Sequence, residues 1–274
     1  MNRAAVLVLV LVCAVNVAAQ GATSGKTKTG LAYDVQGNGS DVVLITGSNL
    51  DRRMWAREAQ WLSTAHRVIR YDLRAHGQSD TATAPFSNLE DLLSLLDELK
   101  VTSATFIGLS AGSTIALDLA LQAPQRVARA VLVGPAISGY VPKEPLPFTA
   151  SLVDALQARD YKKAGEVLLG TSVFAAPPEA QALVRSMVMD NDRLWTVPRD
   201  LIKPQLRAVD RLEDVNAPTL VLVGEKDVFQ REQADLLARR VRGCRLIVVP
   251  GGGHLLNLTS PKEFQSAVSS FLEK

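Results

Sequence analysis

Two cysteines in 274 residues, Cys13 and Cys244, leave little to cross-link. Cys13 falls inside an apolar N-terminal run, so a folded domain after that run has one thiol. No disulfide and no zinc-type cysteine spacing can be built from it, and Cys244 is expected to pack as a small apolar side chain. Histidine is almost as scarce: His66, His76 and His254 are all there are. Aromatic residues make up 5% of the chain, and no stripe of Lys and Arg interleaved with aromatics appears. The net charge is only +2 and the basic residues are dispersed in short groups such as Arg52-Arg53 and Arg239-Arg240-Val241-Arg242. Nucleic acid is therefore excluded as a partner. Phosphate-loop and dinucleotide fingerprints, internal repeats and low-complexity stretches are also missing. What is present is a chain 47% apolar and 21% charged, enough for a packed core.

The N-terminus stands apart. Met1-Asn2-Arg3 carries one positive charge, Ala4 to Ala19 is nearly all apolar, and Val17-Ala18-Ala19-Gln20 offers small residues for cleavage. That order of regions is a secretory signal. The run is shorter than the ~20 residues of a spanning helix, although an uncleaved N-terminal anchor is the alternative. Lipid attachment at Cys13 is disfavoured, since Val12 precedes it and the cysteine lies within the apolar run. Residues 1–22 are read as a signal peptide cleaved near Ala19, and the protein as secreted or periplasmic.

Beyond residue 26, segments of two periods alternate. Short apolar runs at Val42–Ile45, Arg67–Leu73, Ala104–Gly108, Ala128–Val133, Thr219–Val223 and Leu246–Val249 read as strands. Helical spacing marks Met54–Leu62, Leu89–Leu99, Ser113–Gln122, Gln233–Val241 and Glu263–Leu272. Lys26–Gly30 and Leu31–Gly37 read as an antiparallel lead-in. Strands alternating with helices point to an α/β domain with a mostly parallel sheet covered on both faces. Residues 137–212 break the rhythm: seven prolines (Pro142, Pro145, Pro147, Pro177, Pro178, Pro198, Pro204), helical patches at Ala150–Leu156 and Ala180–Met189, and no apolar strand. So long an insertion is more than a loop. It reads as a helical cap, dividing the core into residues 23–136 and 213–274, and a plain structural appendage is the alternative.

Gly108-Leu109-Ser110-Ala111-Gly112 lies between a predicted strand and a predicted helix. A serine hydroxyl needs exposure and a base to act as a nucleophile. A sharp strand-to-helix turn gives the exposure and demands small neighbours; a merely structural tight turn is the competing account. Two further groups follow predicted strands: Asp227 in Gly224-Glu225-Lys226-Asp227, and His254 in Gly251-Gly252-Gly253-His254. All three fall at strand C-terminal ends, where open α/β sheets place their sites. Ser110 is read as nucleophile, His254 as base and Asp227 as the carboxylate that orients it. His76 is a weaker candidate for the base and Glu225 for the acid, while Asp72 is expected to anchor a turn and His66 to lie at the opposite edge. An oxyanion needs backbone donors. These are assigned to Ala111 and, in Thr46-Gly47-Ser48-Asn49, to Ser48, with Asn49 in reserve.

Together these residues resemble the α/β-hydrolase superfamily, over about residues 30–272. The order Ser…Asp…His, the turn Asp72-Leu73-Arg74-Ala75-His76-Gly77-Gln78-Ser79 and the loop Gly251–His254 followed by Pro261 and Phe264 carry the likeness. It is nearest to capped esterases, enol-lactonases and cofactor-free haloperoxidases. Two positions depart from the pattern: Thr46-Gly47 stands where His-Gly is usual, and Ala75 replaces a glycine, for which a small backbone adjustment is expected. The resemblance implies an eight-stranded, mostly parallel sheet with helices on both faces and a helical cap inserted after the sixth strand. It also implies a triad mechanism without cofactor or metal, acting on a small molecule. Ser110 argues against the dehalogenase and epoxide-hydrolase branches, which use an aspartate there. The reaction expected is hydrolysis of a small ester, thioester or lactone. Carbon–carbon hydrolysis on the same triad, with Arg185, Arg193 or Arg199 receiving a carboxylate, and a ligand-binding homologue without turnover are the alternatives. Asn49, Trp55, Phe148 and Trp195 are candidate pocket residues.

Overall fold

The computed structural model describes residues 22–273; the expected signal peptide and Cys13 lie outside them. Among the described residues eight strands form one sheet: β1 (Thr23–Lys26), β2 (Ala32–Gln36), β3 (Ser40–Ile45), β4 (His66–Tyr71), β5 (Ala104–Leu109), β6 (Val127–Val133), β7 (Thr219–Gly224) and β8 (Arg245–Val249). Their spatial order is β1-β2-β4-β3-β5-β6-β7-β8. β2 pairs antiparallel with both β1 and β4, and every other pairing is parallel. The lead-in is shifted from its expected bounds. Residues 27–31 form the connecting turn, in which the Thr27 N–H donates to the Leu31 carbonyl at 2.8 Å and Gly30 takes φ +87°.

The central strands read as continuous apolar runs because both of their faces are covered. Successive side chains point to opposite faces, and this divides the core in two. Val43, Ile45, Phe106, Leu132 and Val221 lie in one cluster with Leu92, Leu96, Ala116, Ala120 and Leu237. Val42, Leu44, Ile107, Val131 and Leu222 lie in the other with Trp55, Ala59, Leu62, Phe264 and Val268. The helices α1 (Ala56–Leu62), α2 (Asn88–Glu98), α3 (Ala111–Gln122), α4 (Thr149–Gln157), α5 (Tyr161–Leu169), α6 (Pro178–Asp190), α7 (Val228–Arg240), α8 (Leu256–Thr259) and α9 (Pro261–Leu272) complete the fold. α2, α3 and α7 cover the first face, and α1 and α9 the second.

α4, α5 and α6 lie in the excursion between β6 and β7, which adds no strand to the sheet. Leu168, Val184, Met187 and Val188 from this excursion join the second core cluster, so it is seated on the domain. α5 was not apparent in the sequence pattern. Its N-terminus is set by Asp160, whose side chain accepts the Lys163 N–H at 2.9 Å. α7 begins at Val228, earlier than apolar spacing suggests, because Gln230, Arg231 and Glu232 mask its first turn. Among the described residues no helix is long and apolar enough to cross a membrane.

Candidate active site

β3, β5, β6, β7 and β8 run parallel, so the residues that follow them gather at one sheet edge. Ser110 sits between β5 and α3 with φ 53° and ψ −115°, a conformation L-residues rarely adopt. Its N–H donates to the Val133 carbonyl at 2.9 Å, pinning the turn to β6. The flanking glycines are sterically required. A Cβ on Gly108 would come within 2.3 Å of the Gly112 carbonyl oxygen, and one on Gly112 within 2.3 Å of the Ile45 carbonyl oxygen.

Asp227 and His254 meet across the ends of β7 and β8. The imidazole Nδ1–H donates to Asp227 Oδ2 at 2.8 Å, and both side chains are buried. That bond leaves Nε2 as the nitrogen able to take a proton. The two loops are laced together: Lys226 N–H donates to the Gly252 carbonyl at 2.9 Å, and Gly251 N–H to Glu225 Oε2 at 2.8 Å. Glu225 is thereby occupied in holding the histidine loop and makes no bond to His254. A third element completes the placement. Gly134, after β6, has φ +47°, and a Cβ there would lie 2.8 Å from His254 Nδ1 and 3.0 Å from Asp227 Oδ2. Gly134-Pro135 reads in the sequence simply as a strand end, and nothing in it signals this contact.

Ser48, Asn49, Ser110, Gln230 and His254 are the polar residues lining one cavity of about 210 Å³. Ala111 is the first residue of α3, so its N–H has no carbonyl partner within the helix. Asn49 is unsuited to the reserve role as a backbone donor. Its N–H donates to His76 Nε2 at 3.2 Å, although the residue itself lines the cavity. His76 is equally committed, since its Nδ1–H donates to the Arg74 carbonyl at 2.9 Å. Burial lowers its pKa, which keeps the ring neutral and both nitrogens engaged. His66 bonds Ser40 Oγ at the opposite end of β4. Asp72 accepts the Arg52 and Gln78 N–H groups at 2.8 and 2.9 Å and pairs with the Arg52 guanidinium, anchoring its turn. Ala75 keeps φ 63°, so the turn retains the glycine-type conformation without backbone adjustment. Thr46, in the position where histidine is usual, is fully buried and its hydroxyl has no hydrogen-bond partner.

Two of the expected pocket aromatics lie elsewhere. Trp55 is fully buried in the second core cluster and packs on Phe264 at 6.1 Å between ring centroids. Trp195 packs on Tyr161 at 6.1 Å and does not line the cavity. Phe148 does line it, edge-on to Phe229 at 6.4 Å. Arg185 pairs with Glu166, Arg193 donates to the Gly77 and Ser79 carbonyls, and Arg199 is exposed, so none of the three reaches the cavity. Among the described residues no group of three or more His, Cys, Asp or Glu is placed to hold a metal ion.

One residue that sequence reasoning passed over ties the excursion to this edge. Asn191, at the C-terminus of α6, is fully buried. Its Nδ2 donates to Met187 O at 2.7 Å, to Asp51 Oδ2 at 3.1 Å and to Asn49 O at 3.5 Å, while its Oδ1 accepts the Gly77 N–H at 2.6 Å. Burial pushes the Asp51 carboxyl up, but bonds from Arg53 and Asn191 outweigh it and hold the group below the usual carboxylate range.

The chain is 28% identical to the pimeloyl-[acyl-carrier protein] methyl ester esterase of Photobacterium profundum over 262 residues, covering 89% of this chain and 99% of that protein. It is 26% identical to 3-oxoadipate enol-lactonase 1 of Acinetobacter baylyi over 256 residues, covering 90% and 95%. The crystal structure of a hydrolase from Pseudomonas aeruginosa superposes with a TM-score of 0.74 at 29% identity, over 94% of this chain and all of that one. Residues 42–267 match the model of the alpha/beta hydrolase family. The eight-stranded, mostly parallel sheet with helices on both faces is the fold of that family, and the chain belongs to it.

Proposed function

We propose that this hydrolase cleaves a small carboxylic ester, thioester or lactone through Ser110, His254 and Asp227. The observation that carries the reading is the buried Asp227–His254 bond beside a strained serine turn, with Ser110 and His254 lining the same cavity. Relatives named as a methyl ester esterase and an enol-lactonase support the reaction class. Ser110 Oγ attacks the carbonyl carbon while His254 Nε2 takes its proton, and the Asp227 carboxylate stabilises the imidazolium. The N–H groups of Ala111 and Ser48 receive the oxyanion. Collapse breaks the bond to the leaving oxygen or sulfur, which takes the proton from His254. Water, deprotonated by the same nitrogen, then releases the acid and restores Ser110. α4, α5 and α6 act as a cap that excludes water and shapes the cavity.

The test uses para-nitrophenyl esters of graded acyl length and a fluorophosphonate probe. Wild-type protein should turn over the shorter esters and be labelled at Ser110. Ser110→Ala should lose labelling and useful turnover, keeping only the ~10³–10⁴-fold acceleration over water that a site without its nucleophile retains. Its circular dichroism and melting temperature should match the wild type. Undiminished turnover in that variant would remove Ser110 from the reaction.

A further inference from the structure

We propose that the acyl group accepted by this site is small and carries no charge, so that half-esters of dicarboxylic acids, which keep a free carboxylate, are excluded. The inference rests on the reading of Ser110 as nucleophile, because the acyl group is the part of the substrate that stays bonded to it. The cavity beside Ser110 measures about 210 Å³, below the ~300–1,000 Å³ of drug-sized ligand sites. Beside its five polar residues its walls are mostly apolar, with Leu146, Phe148, Leu168, Phe174, Phe229 and Leu255 among them. Among the described residues that line it, none is Lys or Arg.

Several cations of the flanking loops and the excursion are held elsewhere. Arg52 pairs with Asp34 and Asp72, Arg53 with Asp51 and Asp190, and Arg185 with Glu166. Arg193 is spent on two backbone carbonyls. Lys143, on the same loop as Leu146, points to solvent and pairs with Glu232 at 3.6 Å. Directly behind His254 lies the Asp227 carboxylate, a negative charge. A carboxylate entering the cavity would lose its hydration, find no cationic partner and meet a like charge. A methyl group at the same place has no such hydration to lose and packs on the apolar residues of the wall.

The experiment compares para-nitrophenyl hexanoate with para-nitrophenyl hydrogen adipate, which differ by a carboxylate in place of the terminal methyl. Each rate is corrected for that of Ser110→Ala, and the full-length protein is used. Wild-type kcat/KM should be about 100-fold or more lower for the adipate ester. Gln230→Arg places a cation on the cavity wall and should narrow that ratio by about tenfold. A wild-type ratio within about threefold overturns the proposal. So does a folded Gln230→Arg variant with the wild-type ratio, since the discrimination would then arise outside the cavity. If neither ester shows Ser110-dependent turnover and the fluorophosphonate leaves Ser110 unlabelled, the acyl-enzyme reading itself fails and takes this proposal with it. Labelling at Ser110 with equal turnover of both esters sinks the proposal alone.

Discussion

Ser110 holds a backbone conformation that costs energy, and two glycines on either side exist because any side chain there would collide with backbone. This is why the turn was legible in the sequence: steric demands at a sharp turn restrict the sequence to a short pattern. Asp227 and His254 were legible for a related reason, since each follows an apolar strand run at a glycine-containing end. Trp55 and Trp195 were not, because an aromatic side chain gives no sign of whether it faces a core or a cavity. Asn49 shows the same limit on a finer scale. Its position in the loop was readable, but the loss of its N–H to His76 was not. For the Asp227–His254 pair the expectation is sharp. Asp227→Asn preserves shape but favours the wrong imidazole tautomer, so kcat should fall by about 10⁴ with little change in melting temperature. Steady-state kinetics beside a thermal melt check both halves.

Among the elements, the long parallel strands and α2, α3 and α9 were plain from periodicity, whereas α5 and the first turn of α7 were hidden under charged residues. Periodicity also says nothing about how the excursion is fastened to the sheet. Asn191 supplies part of that fastening, joining the end of α6 to the loop after β3 and to the turn after β4. Both ends of Asn49 are thereby held, its N–H by His76 and its carbonyl by Asn191, and Asn49 directly follows Ser48. Asn191→Leu removes the acceptor of the half-buried Gly77 N–H and a donor to the buried Asp51 carboxylate, at a cost of about 1–3 kcal/mol. Denaturant unfolding should show that loss. Ester kinetics should show kcat falling more than KM rises, because the loosened loop carries Ser48, the proposed oxyanion donor. An unchanged kcat in a destabilised variant would make the tether purely structural.

For the whole molecule, stability rests on the two cores, and pH acts on it through a group outside the proposed triad. Burial pushes Glu58 on α1 up from an ordinary 4.5 to about 6, with Asn257 Nδ2 donating to its carboxylate at 3.2 Å. Below pH ~4.5 the group is protonated in both folded and unfolded chains and contributes nothing. As pH rises from there, the unfolded chain ionises first and stability falls. Above about 6 the full penalty, about 2 kcal/mol, persists. Glu58→Gln should therefore raise the unfolding free energy at pH 8 and leave it nearly unchanged at pH 4, as read from urea titrations at the two values. An equal effect at both would assign the change to packing instead of charge.

The order of the strands also sets an order in time. The turn bearing Ser110 and the loop bearing Ser48 lie before the helical excursion, while Asp227 and His254 arrive on the last two strands. A chain emerging from its N-terminus thus carries the proposed nucleophile long before the proposed base and acid that would arm it. In the proposed triad a partly made or C-terminally clipped molecule is chemically silent, and activity begins only when β8 docks on β7 and closes the sheet.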